Sequence, residues 1–372
     1  MNSWERMVVA LELEMPDKVP LFEMHMSSAL SSKILGRTSI CYNGPLCLEL
    51  IRKGYDTHLL NRKIAEEIIE IHIKAELDYI RVPGGYSSRM RVEKIADDLW
   101  LINGSRVKYS AESFWHLDLP SLYDPEEVLK WALQEPPEPK DETFEILRYI
   151  AREVRGEIFL SFDADGSWGP IVSNPKLLIH VLKWMFTKPY VVRALINHYT
   201  RFAIELGKRA LDEGADAIMM CVDYGHSKGP WMSPIMFKEF VKPALRKQVE
   251  AFKRKGGFTI LHSDGNVWEL LPDIVDTGLD AYQGIDIEAR MDLGKVKEYY
   301  GDKVCLIGNV DPRIIEFGDK KSLLKEVNRC LRQGAPGGGY VFSTSANLSI
   351  CKNAENFIQM LSYVKKRRKY PI

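Results

Sequence analysis

The sequence predicts a single-domain (β/α)8 barrel, the TIM-barrel fold, for a chain of 372 residues. Short apolar segments rich in β-branched and aromatic residues recur eight times, and segments with helical periodicity separate them. Strands that alternate with helices favour a parallel sheet, and eight such units match the barrel. The glycine-rich stretch GAPGGGY precedes a predicted strand and does not open a helix, which argues against a dinucleotide-binding open sheet.

Most of the predicted strands follow a turn that contains glycine. They cover residues 18–24, 78–83, 157–163, 216–223, 257–264, 280–286, 303–309 and 339–345. A long helical pattern over residues 189–214 ends at Gly214, as helix C-termini often do. At the start of the chain, Asn2 and Glu5 have the spacing of a capping box, which predicts a first helix.

An insertion is predicted between the second and third strands, over residues 84–150. Within it, residues 91–110 have the pattern of a small antiparallel meander with a turn at Asn103-Gly104. The stretch EPPEPKDE, rich in proline and acid, follows at residues 135–142. We interpret the insertion as decoration of one domain over residues 1–372, and long loops of this kind are often lids.

Charge and composition argue against several classes of protein. Lys plus Arg and Asp plus Glu both number 51, which argues against a nucleic-acid-binding surface, and we interpret the basic run at residues 365–369 as a solvated tail. No apolar run reaches the roughly 18–20 residues of a membrane span, and the first residues lack the pattern of a signal peptide. The six cysteines form neither a CxxC motif nor a disulfide framework. We therefore expect a cytoplasmic protein that acts on a small molecule, and the composition permits a homodimer.

Polar residues recur at the ends of the predicted strands. In (β/α)8 barrels the chemistry lies at the C-terminal strand ends, and the alternation of side chains decides which residues share a face. The candidates selected in this way are Glu23, His25, Asp163, Asp223, His226, His262, Asp264, Asp286 and Asn309. Because crowded acids destabilise a barrel mouth unless a metal, a cation or a proton compensates their charge, this convergence predicts a functional site.

Helix capping is the alternative interpretation of such residues, since Asp and Asn after a strand commonly cap the next helix. Asn266 and Glu269 have the spacing of a capping box. Asp311 followed by Pro312 fits a helix start with proline at the first helical position.

A series of motifs runs nearly from end to end of the chain. It comprises SWERMVVALELEMPDKVPLFE, WMSPIMFKEFVKPALRK, ILHSDGNVWELLPDIVDTGLDAYQGID, MDLGKVKEYYGDKVCLIGNVDP and PGGGYVFSTSAN. In this order the motifs resemble those of the uroporphyrinogen decarboxylase superfamily, which includes corrinoid-dependent methyltransferases. The resemblance implies a single (β/α)8 barrel, in agreement with the strand count, but the motifs do not fix the reaction.

The chain departs from the true uroporphyrinogen decarboxylases at three places. Their Arg-rich RQAGRY-type segment, which binds substrate carboxylates, corresponds to FEMHMSSALSSKILGR, where Arg37 is the sole arginine. Their aspartate in an FSD-type stretch corresponds to YIRVPGGYSS, which has no acid. Their GHG histidine is replaced in the region of Ser345, Ala346 and Asn347. These departures count against decarboxylation of a porphyrinogen.

The chain also departs from the thiol-methylating branch, whose members bind zinc through an HxC motif and a later cysteine. His262 matches the histidine, but Asp264 stands where the cysteine belongs. An aspartate makes a harder, more Lewis-acidic site than a thiolate does. The resemblance therefore favours the methyl-donor branch, in which methyl passes from a small methyl ether or amine to the cobalt of a corrinoid, supplied by a partner protein or as free cobalamin.

The resemblance carries over His262, and the positions of the other candidates at the strand ends complete the set of expected roles. His262, Asp264 and His226 are the expected ligands of a Zn²⁺ ion. The expected catalytic residues are Glu23, Asp223 and Asp264, and the expected substrate-binding residues are His25, Asp163, Asp286 and Asn309. Two alternatives to a methyltransferase stay open: a decarboxylase-like carboxy-lyase that acts on a tetrapyrrole or another acid, and a ligand-binding barrel without catalysis.

Overall fold

A parallel sheet of seven strands forms the centre of the molecule. The computed structural model describes residues 1–110, 113–118, 123–349 and 351–372. The strands of the sheet are β1 (Tyr79–Val82), β6 (Phe159–Asp163), β7 (Ala217–Cys221), β10 (Phe258–Ser263), β11 (Ala281–Gly284), β12 (Cys305–Ile307) and β13 (Tyr340–Val341), and they pair side by side in this order. Each of these strands lies inside a predicted segment, so seven predicted strands are confirmed.

The first predicted strand, residues 18–24, is not a regular strand. Leu21 and Phe22 make single parallel bridges to Phe342 and Tyr79, beside the two edge strands of the sheet. A regular ladder is interrupted here because Pro20 has no amide hydrogen and the amide of Leu21 donates to the Asp78 carboxylate at 2.8 Å. The segment therefore lies between β13 and β1 without forming a strand.

A second sheet, of four antiparallel strands, lies between β1 and β6 in the chain. It consists of β2 (Val92–Ala96), β3 (Leu99–Ile102), β4 (Ser105–Ser110) and β5 (Ser113–His116). The turn between β3 and β4 has left-handed backbone at Asn103 and Gly104, with φ angles of 51° and 85°. This is the hairpin geometry for which an Asn-Gly pair is preferred, and the predicted turn is confirmed. A short hairpin, β8 (Gly225–His226) and β9 (Gly229–Pro230), follows β7.

Helices occupy most of the remaining described chain. They are α1 (Ser3–Leu11), α2 (Ser28–Leu35), α3 (Gly44–Arg52), α4 (Thr57–Ala75), α5 (Pro125–Ala132), α6 (Glu145–Val154), α7 (Gly169–Val172), α8 (Pro175–Thr187), α9 (Pro189–Asp212), α10 (Pro234–Met236), α11 (Lys242–Arg254), α12 (Leu271–Val275), α13 (Leu293–Tyr300), α14 (Pro312–Phe317), α15 (Lys320–Gly334) and α16 (Ala354–Lys365). A 3-10 turn covers Asp141–Phe144 and a π-helical turn covers Phe237–Val241. None of the helices in the described ranges is both long and apolar enough to cross a bilayer.

The predicted helix ends are mostly confirmed. Asn2 and Glu5 form the capping box of α1, and Asp311 caps α14 with Pro312 at its start. The capping box predicted for Asn266 and Glu269 is wrong. The Asn266 side chain accepts a hydrogen bond from Trp268 N at 3.2 Å in a turn, and the next helix begins only at Leu271.

The basic run at the C-terminus is not entirely a solvated tail. Arg368 is 2% exposed, and its Nη1 lies 2.6 Å from Asp78 Oδ2. Asp78 also accepts a bond of 2.6 Å from Arg6 Nη1 in α1. The first helix, the residue before β1 and the C-terminal segment therefore meet at one buried carboxylate.

Candidate active site

Asp223, His262 and Asp264 form a compact group at the C-terminal ends of β7 and β10. Their ligand-type atoms all lie within 4.8 Å of one another. His262 Nε2 lies 3.6 Å from Asp223 Oδ1 and 3.7 Å from Asp264 Oδ2. The Asp264 backbone amide donates to Asp223 Oδ1 at 2.9 Å, which fixes the position of the first carboxylate relative to the second. The group arises because β7 and β10 pair in parallel, with His262 opposite Cys221.

The His262 ring is oriented by a glutamine on the neighbouring strand. Gln283 lies opposite His262 in the register of β10 and β11, and its Oε1 contacts His262 Nδ1 in a short hydrogen bond. An amide oxygen only accepts, so Nδ1 carries the hydrogen and donates. The lone pair of Nε2 is then free to point toward Asp223 and Asp264, which is the tautomer that a ligand histidine needs.

Asp264 has an unusual environment for a carboxylate. Among the described residues its Oδ1 is one of the few buried side-chain oxygens without a hydrogen-bond partner. Burial raises the pKa of Asp264 to about 6, the nearby Asp223 and Asp286 add to that effect, and His262 opposes it. A buried acceptor without a donor costs free energy, which a bound cation would compensate.

A cavity of about 790 Å³ opens onto this group. Its polar wall includes His25, Arg81, Asp163, Asp223, His262 and Asp264. Arg81 Nε donates to Asp163 Oδ1 at 2.9 Å, so this arginine is already paired. The cavity also contacts Cys221, whose pKa is raised to about 12 by burial, and this thiol is therefore neutral at physiological pH.

His25 lies in the wall of the same cavity, where the charge of Arg81 acts on it. Burial lowers the pKa of His25 to about 4, and the charge of Arg81 acts in the same direction. The imidazole is therefore neutral near pH 7. Its ring packs edge-on against Tyr42, with ring centroids 4.7 Å apart. The predicted substrate-binding residues His25 and Asp163 thus line one cavity with the acid group.

Glu23 is not among the described residues that line the cavity. It is 2% exposed, and burial raises its pKa to about 8, which the hydrogen bonds of Thr344 partly oppose. The Thr344 hydroxyl lies 2.8 Å from Glu23 Oε2 and 2.7 Å from the Ala346 carbonyl oxygen. A hydroxyl has one hydrogen, so both contacts are satisfied when the protonated carboxyl donates to Thr344 and Thr344 donates to Ala346. Glu23 is therefore protonated at neutral pH.

Besides Glu23, three predicted site residues lie outside both the acid group and the described lining of the cavity. His226 lies in the β8–β9 hairpin, where its ring packs on Trp231 at 4.8 Å and its Nδ1 accepts from Lys228 N at 3.3 Å. Asp286 accepts backbone hydrogen bonds from Gly265 at 3.1 Å and Glu288 at 2.9 Å. These contacts hold the loops in which His226 and Asp286 lie.

Asn309 is the third of these residues and is fully buried. Its Nδ2 donates to the Ile285 carbonyl at 2.8 Å, and its Oδ1 accepts from Arg329 at 3.0 Å. Both ends of its amide are therefore engaged in holding the loops after β11 and β12.

Sequence reasoning missed Gln283, Arg81 and Thr344. Gln283 and Arg81 each lie inside a predicted strand, and strand pairing places Gln283 opposite His262 and Arg81 opposite Ser161. A search for polar residues in the middle of apolar strands would have found both. Thr344 had no such signal, because its role depends on the segment of Glu23, which is more than 300 positions away in the chain.

The acid group fits a divalent metal ion. Two ligands of a tetrahedral zinc, each about 2.1 Å from the ion, lie about 3.4 Å apart, close to the separations of His262 Nε2 from the two carboxylates. The unpartnered Asp264 Oδ1 and the Nδ1–Gln283 contact are further features of ligand residues. One nitrogen and two carboxylates form a hard ligand set without a thiolate.

Comparison with known proteins identifies the family. The family model described as uroporphyrinogen decarboxylase (URO-D) matches residues 103–367. A uroporphyrinogen decarboxylase from Chlorobaculum parvum is 23% identical over 287 residues, which cover 74% of this chain and 76% of that protein. Another, from Psychromonas ingrahamii, is 25% identical over 233 residues, which cover 59% of this chain and 63% of that protein.

The structural comparison agrees with the sequence comparison. A methyltransferase from Methanosarcina mazei superposes with a TM-score of 0.69 at 18% identity, covering 99% of both chains. At this identity the likeness shows a shared α/β fold. The match of the family model over most of the chain shows that the protein belongs to the uroporphyrinogen decarboxylase family, a family of enzymes.

Proposed function

We propose that this protein is a methyltransferase that moves a methyl group from a small methyl ether or amine to the cobalt of a corrinoid, with a metal ion held by Asp223, His262 and Asp264. The corrinoid is supplied by a partner protein or as free cobalamin. We further propose that residues 18–24, which make single bridges to both edges of the sheet, occupy the eighth position of a closed barrel whose mouth is this site. The M. mazei methyltransferase of the same fold supports this choice of reaction class.

The observation that carries the proposal is the ligand set. His262 presents Nε2 between two carboxylates, and Asp264 Oδ1 is buried without a donor. A divalent ion bound there would act as a Lewis acid on the oxygen or nitrogen that loses its methyl group. The chain itself contributes orientation through Gln283, which holds the ring of His262.

The cavity wall has a separate role in positioning the substrate. His25 is neutral and Arg81 is paired with Asp163, so these groups orient a neutral donor without adding net charge. The carboxyl of Asp264, with its pKa of about 6, can hold a proton near the leaving group when no cation is bound. Positioning of this kind brings the methyl carbon to the open side of the cavity, where a corrinoid can approach.

Decarboxylation of a tetrapyrrole is the second candidate, because the two relatives compared above are uroporphyrinogen decarboxylases. A polycarboxylate substrate requires several cationic side chains. In the described wall of the mouth cavity Arg81 is the single arginine or lysine, and Asp163 already pairs with it. The electrostatics of the mouth therefore favour the methyltransferase.

Metal analysis of the protein purified without chelator tests the proposal. We expect about one divalent ion per chain in the wild type, and its loss in His262→Ala, because this variant removes the sole nitrogen ligand. His226→Ala is the matched control, since His226 lies outside the acid group, and it should retain the metal. The wild type should also transfer methyl from a methyl ether or amine to free cob(I)alamin, followed by the change in the cobalamin spectrum.

Two results would contradict this assignment. If the wild type contains no stoichiometric metal and does not methylate cob(I)alamin, the methyltransferase proposal is wrong. Measurable consumption of uroporphyrinogen, retained in His262→Ala, would instead support the decarboxylase.

A further inference from the structure

A groove of about 550 Å³ lies between α15 and the C-terminal segment of the chain. Its wall is formed by residues of α15 from Lys321 to Arg332, and by Arg367, Pro371 and Ile372. None of its lining residues in the described chain belongs to the mouth cavity. The volume falls in the range typical of small-molecule sites.

Four cationic side chains line this groove, and none of its described lining residues carries an acidic side chain. The four cations are Lys321, Lys325, Arg332 and Arg367. None of them forms an ion pair within the described part of the chain, and acids on the adjoining elements have other partners: Glu326 pairs with Arg329 at 2.6 Å, and Glu76 pairs with Lys365 at 3.2 Å. The whole chain has as many acidic as basic residues, so this excess of positive charge is a local feature of the groove.

The charges of α15 are arranged unfavourably for the helix itself. Lys321 lies in the first turn, where the helix dipole disfavours a cation. Lys321 and Lys325 are four positions apart, and like charges at this spacing destabilise a helix. The carboxylate of Asp319 is engaged as the N-cap, where it accepts from Ser322 N at 2.8 Å. Places where a sequence breaks such local rules are expected at functional sites, so the cations of this face point to a ligand.

The two arginines of the groove are held by neutral partners. Arg332 Nε donates to the Asn328 carbonyl oxygen at 3.3 Å, and the guanidinium of Arg367 lies over the ring of Tyr363 at 4.1 Å. The side chains of these partners are joined, because Asn328 Nδ2 donates to the Tyr363 hydroxyl at 3.0 Å. The remaining N–H groups of both guanidiniums are available to a ligand. Phosphate oxygens match the planar fork of a guanidinium, which can bind them through two parallel hydrogen bonds.

The rest of the groove is mainly apolar. Leu324 and Leu331 come from α15, and Pro371 and Ile372 come from the C-terminal segment. Single-stranded nucleic acids bind to surfaces that combine cations with aromatic side chains, on which the bases stack. The described lining of this groove contains no aromatic residue, which argues against a nucleic acid as its ligand.

We propose that this groove binds a small molecule that carries several phosphate groups on an uncharged, largely apolar body. A phosphate monoester has a charge of about −1.5 to −2 at pH 7, so a short chain of phosphates balances the four cations of the wall. The apolar body of the ligand covers the leucines and the C-terminal residues. The inference is independent of the proposed methyl transfer, because the groove uses none of the residues of the mouth cavity.

Titration calorimetry with ATP, adenosine and inorganic triphosphate tests the inference on the full chain, after dialysis against a chelator to remove metal ions that could hold phosphate. We expect ATP to bind, adenosine not to bind measurably, and triphosphate to bind more weakly than ATP because it lacks the apolar body. The double variant Lys321→Glu with Lys325→Glu should weaken ATP binding about tenfold or more, since each exposed charge contributes modestly and two are reversed. Lys130→Glu with Lys183→Glu, at exposed positions of α5 and α8, makes the same change in net charge and should bind ATP as the wild type does.

Two further variants separate the groove from the fold and from the mouth. Lys321→Glu alone should bind ATP more weakly and still be at least as stable as the wild type in urea, because an acid in the first turn suits the helix dipole and pairs with Lys325. His262→Ala should bind ATP as the wild type does. The proposal is wrong if the wild type does not bind ATP, if the folded double variant binds it as tightly as its control, or if triphosphate binds as tightly as ATP. Tighter binding to an RNA oligonucleotide, or to vesicles of phosphatidylcholine and phosphatidylserine, would also reject a small-molecule site.

Discussion

At the scale of single residues, Glu23 shows how burial sets a protonation state. Its carboxyl is in the protein interior, and the geometry of Thr344 is fully satisfied when the acid is protonated. The pKa of about 8 in the folded chain lies above the usual 4.5 of glutamate. The folded state therefore binds more protons than the unfolded state between these values, so this group stabilises the fold at low pH and its contribution is lost as the pH rises from about 4.5 through about 8.

Glu23→Gln tests this linkage. The amide of glutamine donates to Thr344 as the protonated acid does, so we expect the variant to lose the pH dependence and keep the low-pH stability. Relative to the variant, the wild type should lose up to about 1.4 kcal/mol of unfolding free energy per pH unit between pH 5 and 8. Urea unfolding at several pH values measures this difference. Glu12→Gln, at an exposed position, is the control, and parallel curves for wild type and Glu23→Gln would contradict the prediction.

At the scale of elements, the meeting of α1, β1 and the C-terminal segment depends on one carboxylate. Asp78 accepts from Arg6 and Arg368, and also from the amide of Leu21. Removing one partner of a buried ion pair typically costs about 3–5 kcal/mol. Because Arg6 still neutralises Asp78, we expect Arg368→Ala to lower the unfolding free energy by about 3 kcal/mol, as measured by denaturant unfolding.

The control for this prediction is the neighbouring arginine. Arg367 is exposed, and its guanidinium lies over the ring of Tyr363 at 4.1 Å. Arg367→Ala should therefore cost less than about 1 kcal/mol. Equal effects of the two substitutions would mean that the basic residues at the C-terminus form a solvated tail, as their composition alone suggested.

The elements also show what sequence can predict. Apolar runs with turn signals located seven strands, because a strand buried on both faces must be apolar along its length. The same apolar runs could not predict that residues 18–24 make only isolated bridges. The amide of Leu21 donates to the carboxylate of Asp78, and Asp78 follows a separate helix further along the chain. Alternation brought His262 and Asp264 to one site correctly, whereas the loop contacts of Asn309 and His226 depend on tertiary partners that no local pattern contains.

At the scale of the whole molecule, one small core joins all seven parallel strands to the first helix. Met7, Ala10 and Leu11 of α1 pack in it with Phe22, Met24 and inward residues of every strand of the sheet. These strand residues are Tyr79, Phe159, Ala217, Met219, Ile260, Ala281, Cys305, Ile307 and Val341. The helix therefore contributes to the packing of the whole sheet, although it is far from the acid group in the sequence.

This arrangement predicts a large effect of a single truncation in α1. Met7 is fully buried, and Met7→Ala should lower the unfolding free energy by about 2–5 kcal/mol, because the cavity left among side chains of several strands cannot collapse. Met15→Ala makes the same chemical change at a residue that is 58% exposed, and it should alter stability by less than about 0.5 kcal/mol. Urea unfolding of the two variants, followed by circular dichroism and by tryptophan fluorescence, measures both effects. If α1 is a peripheral addition and not part of the central core, the two methionine variants will have the same unfolding midpoint.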